Sequence, residues 1–222
     1  MLDRFVSKIE EAELKTDPFD HVVIEDFVDL KDGKKLEEDF PKEGHDYWDK
    51  KKCGDTTFYK LSSSSADMYL PKSLRNVIYM LNGGAVCNAI REKFNIVESA
   101  LFSDPTLGGG GLHAIGKNGF LKIHSDFNYH PSLKLKRRIN LLFYLNYDWE
   151  ESWGGNIDLW STDMKERKVS VPPLGGKCVI FATNDDSYHG HPYPLDCPED
   201  VMRKSIALYY YTVDPDCVQS II

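Results

Sequence analysis

Gly119-Phe120-Leu121-Lys122-Ile123-His124-Ser125-Asp126 decides the fold. Residues 120–123 read as a strand that ends in a His-x-Asp pair. Strand residues alternate faces, so His124 and Asp126 point one way and Ser125 the other. Two candidate metal ligands therefore leave one strand together. A second histidine, His189, stands in Ser187-Tyr188-His189-Gly190-His191-Pro192, after the apolar run Cys178-Val179-Ile180-Phe181. Two imidazoles and one carboxylate can cap one face of an Fe(II) ion and leave open positions for a chelating co-substrate and O₂. For His189 to join the first pair, distant strands must lie side by side, as they do in a jelly roll. His191 is the competing ligand. It shares a face with His189 if the strand continues, but Pro192 disturbs the backbone next to it, which favours His189.

The surrounding sequence supports a strand-rich core. From about residue 98, short β-rich runs alternate with glycine and proline turns, at 100–102, 111–115, 139–146, 156–160, 169–171, 178–181 and 205–212. Such spacing predicts a sandwich or jelly roll. Residues 1–97 read differently. A strand is expected at 21–24. A modest helix follows at 29–40, weakened by Gly33 and stopped by Pro41. Residues 43–70, with serines at 62–65, read as a long polar loop. Leu74, Val77, Ile78 and Leu81 recur at helical spacing, and Gly83-Gly84 breaks that helix before a second with Val86, Ile90 and Phe94 on one face. The expectation is one α+β domain over 1–222, mostly β, with 1–97 as helical support and 98–222 as the core.

Two further strands carry polar groups on one face. Arg203, Ser205 and Ala207 share a side, and an arginine among small residues facing an interior calls for an anion. Its planar fork matches a carboxylate, and Ser205 offers a hydroxyl beside it. In 139–146, Ile139, Leu141, Phe143 and Leu145 form an apolar face, with Asn140, Leu142, Tyr144 and Asn146 opposite. Tyr144 either donates to a ligand carboxylate or packs with its hydroxyl in solvent. Trp149 and Trp153 flank a turn and either stack on a substrate ring or simply pack. Gly108 to Gly111 lacks the spacing of a dinucleotide loop and reads as a turn, and no Gly-x-Ser-x-Gly appears.

Composition narrows the classes. The net charge of −8 argues against a nucleic-acid partner, and Lys134, Lys136, Arg137 and Arg138 read as a solvated strand end. No apolar run approaches the length of a membrane span. The charged Met1-Leu2-Asp3-Arg4 does not suit a signal peptide, so a cytoplasmic location is expected. Five cysteines without a CxxC indicate neither a disulfide framework nor a cysteine zinc site.

Over residues 108–212 the sequence resembles the Fe(II)- and 2-oxoglutarate-dependent dioxygenases, especially their prolyl-hydroxylase-like branch. The resemblance rests on the opening stretch, on Arg138-Ile139-Asn140-Leu141-Leu142-Phe143-Tyr144-Leu145-Asn146, on Trp153-Gly154-Gly155-Asn156-Ile157-Asp158-Leu159-Trp160, on Tyr188-His189-Gly190 and on Arg203-Lys204-Ser205. It implies a double-stranded β-helix (jelly-roll) core with N-terminal helices packed on it. It implies His124, Asp126 and His189 as iron ligands, with Arg203 holding the distal carboxylate of 2-oxoglutarate. Tyr144, Asn140 and Ser205 would line that pocket. Arg137 or Arg138, and Trp153, would lie on the substrate side. Asp126 rules against the halogenating relatives. The implied cofactors are Fe(II), 2-oxoglutarate and O₂, with ascorbate as reductant. The implied reaction hydroxylates an aliphatic C–H bond, most naturally on a prolyl residue of a protein or peptide, with release of succinate and CO₂. Alternatives are a small-molecule substrate (a free amino acid, a sugar or a lipid-linked intermediate) or a jelly-roll binding module without turnover. The complete ligand set argues against the last.

Overall fold

Alternation along two strands sets the layers of the molecule. In Leu135–Tyr144, Ile139, Leu141 and Phe143 enter a large core shared with the helices, whereas Leu142 and Tyr144 face a second apolar cluster. Cys178–Ala182 splits the same way, with Cys178 and Ile180 on the first side and Val179 and Phe181 on the second. The structure, a computed structural model, describes residues 1–48, 50–55, 57–62, 69–97, 99–130 and 133–213.

Among the described residues there are four α-helices, Leu2–Glu11 (α1), Leu30–Glu38 (α2), Lys72–Leu81 (α3) and Gly84–Lys93 (α4). Strands are His21–Ile24 (β1), Lys50–Lys52 (β2), Thr57–Ser62 (β3), Phe102–Ser103 (β4), Gly111–His124 (β5), Leu135–Tyr144 (β6), Ile157–Trp160 (β7), Arg167–Val171 (β8), Cys178–Ala182 (β9), His189–His191 (β10) and Arg203–Val213 (β11). Their order across the sheet is β1-β9-β6-β11-β5-β10-β7-β8, with β3 also on β5, β2 on β3 and β4 on β11. The pairs are antiparallel, and the sheet curls nearly into a barrel around the second cluster. This is the expected jelly roll with helices on its outer face. Phe5 of α1 reaches it through Phe27, whose ring meets Phe143 edge-on at 5.4 Å.

β5 replaces two expected runs with one long strand. Its first part, Gly111 to Ile115, pairs with β11, and its end pairs with β10. Between them the chain turns at Asn118, whose φ of 61° lies in the left-handed region that asparagine tolerates.

Three expectations need correction. The stretch 43–70 is not simply a loop, because β2 and β3 lie in it and β3 pairs with β5. The loop expected at 49, 56 and 63–68 lies outside the described residues, as does Cys217. α1 was not expected, although Phe5 and Ile9, one turn apart, are fully buried. β10 was not expected either, since its three residues carry too little pattern to read. Among the described residues no helix is long and apolar enough to cross a membrane.

Candidate metal centre

The pairing of β5 with β10 sets His189 opposite His124, and Asp126 follows just past the end of β5. One ligand atom from each of the three lies within 4.8 Å of the others. His124 Nε2 is 3.6 Å from Asp126 Oδ1, and His189 Nε2 is 3.3 Å from Oδ2. The outer nitrogens fix the tautomers. His124 Nδ1 lies 2.8 Å from the Lys122 carbonyl and His189 Nδ1 lies 2.9 Å from that of Ser187. A carbonyl only accepts, so each Nδ1 donates its proton outward and each Nε2 faces the carboxylate. Two imidazole nitrogens and a carboxylate oxygen thus converge on one point, as ligands around a cation do. The backbone-anchored imidazoles supply the orienting contacts that metal-bound histidines use. The donor set fits Fe(II), with one carboxylate and two imidazoles on one face.

Asp126 is held from behind. Its Oδ2 accepts from Arg137 Nη2 at 2.9 Å and from Asn140 Nδ2 at 2.6 Å, while Arg137 Nε donates to Asn140 Oδ1 at 2.8 Å. Burial pushes the carboxyl up, but His189, His124 and Arg137 outweigh it and hold Asp126 well below the usual carboxylate range. Arg137 and Asn140 face the same side because the β6–β11 register slips between Tyr210 and Tyr211, which pair with Ile139 and Arg137. Arg138 is the extra residue of that bulge. The Arg137 guanidinium lies 3.5 Å from the Tyr209 ring centre and 4.6 Å from that of Phe127.

A cavity of about 560 Å³ adjoins the cluster and extends to Arg203 and Ser205. Arg203 is buried; its Nε donates to the Gly155 carbonyl at 2.7 Å and its Nη2 to the Tyr144 hydroxyl at 3.1 Å. Gly155 has φ 78°, and a Cβ there would stand 2.7 Å from Leu195 and 3.0 Å from Arg203, so only glycine lets the arginine lie this close. Burial raises the Tyr144 hydroxyl pKa, against the opposing pull of Arg203.

The structure thus brings together His124, Asp126, His189, Asn140, Arg137, Ser205 and Arg203. Tyr144 joins them through Arg203, not on the open wall of the cavity. Asn140 supports the Asp126 carboxylate first. Trp153, expected on the substrate side, does not line this cavity. It meets Trp149 edge-on at 5.2 Å, beside a separate cavity of about 850 Å³ that includes Glu38, Asp200 and Met202. Both tryptophans pack there, away from the cluster. Arg138 is half-buried and does not line the metal cavity. Sequence reading missed Thr57 and Lys60 of β3 and the place of His191, all on the cavity wall. The β-branched and aromatic run Thr57-Phe58-Tyr59 was the available signal for β3.

Residues 110–211 match the family model described as the 2OG-Fe(II) oxygenase superfamily. The matched stretch holds His124, Asp126, His189 and Arg203. This oxygenase is also similar in fold to several solved structures, and it is a 2-oxoglutarate-dependent dioxygenase. A prolyl-4-hydroxylase from Pseudomonas putida superposes with TM-score 0.63 at 14% identity, covering 96% of this chain and 100% of that one. A Trichoplax adhaerens prolyl hydroxylase, solved with a peptide fragment of hypoxia inducible factor, gives 0.57 at 13%, covering 95% and 89%. HygX from Streptomyces hygroscopicus, solved with nickel, 2-oxoglutarate and hygromycin B, gives 0.53 at 13%, covering 86% and 82%.

Proposed function

We propose that the oxygenase hydroxylates an aliphatic C–H bond of a prolyl residue in a protein or peptide, releasing succinate and CO₂, with ascorbate as reductant. What carries the reading is the mouth of the cavity. Phe127 stands there half in solvent, and its loop continues with exposed Tyr129 and Leu133. An exposed apolar edge beside a site suits a chain lying across the opening. The fold shared with prolyl hydroxylases, one of them solved with a peptide, supports the same substrate class.

His124, Asp126 and His189 would hold the iron, which supplies O₂ activation when bound. Arg137 and Asn140 keep the Asp126 carboxylate ionised and turned toward the two Nε2 atoms. Arg203 receives the distal carboxylate of 2-oxoglutarate, and Tyr144 and the Gly155 carbonyl hold the guanidinium for it. Phe127 and Tyr209, edge-on to each other, pack against the Arg137 guanidinium and give the mouth its apolar wall. The reacting carbon must be held close and oriented, and these walls restrict it.

A second reading, hydroxylation of a small molecule, is favoured by the likeness to HygX with its bound hygromycin B. One assay separates the two. The protein is incubated with Fe(II), 2-oxoglutarate and ascorbate against proline-containing peptides and a panel of free metabolites. Succinate release and gain of one oxygen by mass spectrometry are read together. Oxygen gained on peptidyl proline is expected. Oxygen gained only on a free metabolite replaces the prolyl reading with the second one.

A further inference from the structure

His191 has no part in the metal cluster, yet it borders the same cavity as Arg203 and Ser205. The residue is 3% exposed, and among the described residues neither Nδ1 nor Nε2 has a hydrogen-bond partner. Burial, with Arg203, Lys60 and His124 nearby, pushes its pKa well below the ordinary histidine value. A neutral imidazole has one N–H to give and one lone pair to receive. Leaving both unused in a buried site is costly, and the cavity that His191 borders is where a ligand would complete them.

Position says which part of a ligand. His191 follows His189 by two residues on β10, so it lies on the same side, about 6.6 Å further along at roughly 3.3 Å per residue. His189 pairs with His124, whereas His191 pairs with Leu121, further back from the metal ligands. That is the Arg203 end of the cavity. There the arginine is already partly committed, with Nε on Gly155 and Nη2 on Tyr144. The guanidinium alone offers an incoming carboxylate less than its full fork.

We propose that His191 is a co-substrate-specificity residue, donating its N–H to the distal carboxylate of 2-oxoglutarate beside Arg203 and Ser205. It makes the pocket demand a second carboxylate. This rests on the reading of Arg203 as the partner of that carboxylate.

Binding is measured by calorimetry without O₂, with Mn(II) in place of iron, for 2-oxoglutarate and for 2-oxobutyrate, which lacks the distal carboxylate. In His191→Val, 2-oxoglutarate affinity is expected to fall roughly tenfold, the size of a lost hydrogen bond to a charged group. Affinities for 2-oxobutyrate and for Mn(II) stay unchanged. The ligand-free melting temperature does not fall, because an unpartnered polar ring has been removed. His191→Leu, closer in volume, gives the same pattern, and His191→Gln recovers part of the affinity. Unchanged 2-oxoglutarate binding in His191→Val and His191→Leu overturns the inference. So does an equal loss for both acids, or a loss of Mn(II) binding. Arg203→Ala separates the two levels. If it too leaves 2-oxoglutarate binding unchanged, the reading of the pocket has failed; if it weakens binding while the His191 variants do not, only the role of His191 has.

Discussion

Arg137 divides its guanidinium between a metal ligand and two rings. Nη2 lies on Asp126, Nε on Asn140, and the rings of Tyr209 and Phe127 lie close to the guanidinium carbon, edge-on to each other. A planar group with several donors does this; a point charge does not. Such outer partners of metal ligands typically change affinity 10- to 100-fold when lost. Arg137→Ala is therefore expected to weaken Mn(II) binding by about that factor, with Arg137→Lys recovering little of it. Titration followed by electron paramagnetic resonance reads both, and wild-type affinity in Arg137→Ala would sink the idea. The sequence did not separate Arg137 from Arg138, because strict alternation sets Arg138, not Arg137, beside Asn140. Only the bulge reverses that, and a bulge leaves no mark in the pattern of apolar residues. The pair His124 and Asp126 was legible as neighbours because its logic is a spacing of two on one strand and needs no register. The preference for His189 over His191 rested on Pro192, a local backbone constraint, and it is His189 that clusters with the pair.

Two connections between elements make sharper tests than the strands themselves. Asp104, in the turn after β4, accepts from the Thr106 N–H at 2.8 Å, the Thr106 hydroxyl at 2.6 Å, the Gly108 N–H at 2.6 Å and His130 Nε2 at 3.2 Å. The Leu133 N–H donates to His130 Nδ1 at 3.1 Å, so this buried pair ties the glycine turn to the loop bearing Phe127. Burial raises the Asp104 carboxyl, but the Thr106 and Gly108 hydrogen bonds and His130 bring it below its ordinary value. A lowered folded-state pKa stabilises above the unfolded value, near 3.9, and that stabilisation is lost as pH falls through the folded value. Asp104→Asn is expected to cost about 1–3 kcal/mol at pH 7. Its difference from wild type should shrink below about pH 4 in urea denaturation; a constant difference would contradict it. Gly33 in α2 is the second test. Helix propensity alone says Gly33→Ala gains about 1 kcal/mol. The added Cβ would stand 1.6 Å from the Tyr147 hydroxyl, so a loss of about 1–3 kcal/mol is expected in thermal melts. The sequence showed Gly33 only as a weak point in a helix, since the reason for it lies on a distant loop. β3 was weakly legible for a related cause: Thr57-Phe58-Tyr59 signals a strand, but its pairing with β5 is a tertiary fact.

Across the whole molecule, metal and fold are linked. The three candidate ligands come from β10 and from the end of β5, so a cation that they hold ties the two strands together. A metal that binds only the folded state adds about 2.7 kcal/mol at one hundred times its dissociation constant. For a chain of 222 residues that corresponds to a rise of roughly 5–10 °C in melting temperature. Mn(II) is expected to give it and a chelator to reverse it; a melting temperature indifferent to both would deny a structured site. The sheet order carries one more consequence. β11, the last strand described, lies between β6 and β5 in the middle of the sheet. During synthesis the ribosome releases Arg203 after every metal ligand, and the strand that carries it must insert between two neighbours already made. Until then the barrel has a gap at its centre and no anchor for the co-substrate. A chain cut before β11 is therefore expected to bind no 2-oxoglutarate, which calorimetry reads. On the proposed reading of Arg203, the strand that fills the middle of the sheet is also the one that admits the co-substrate.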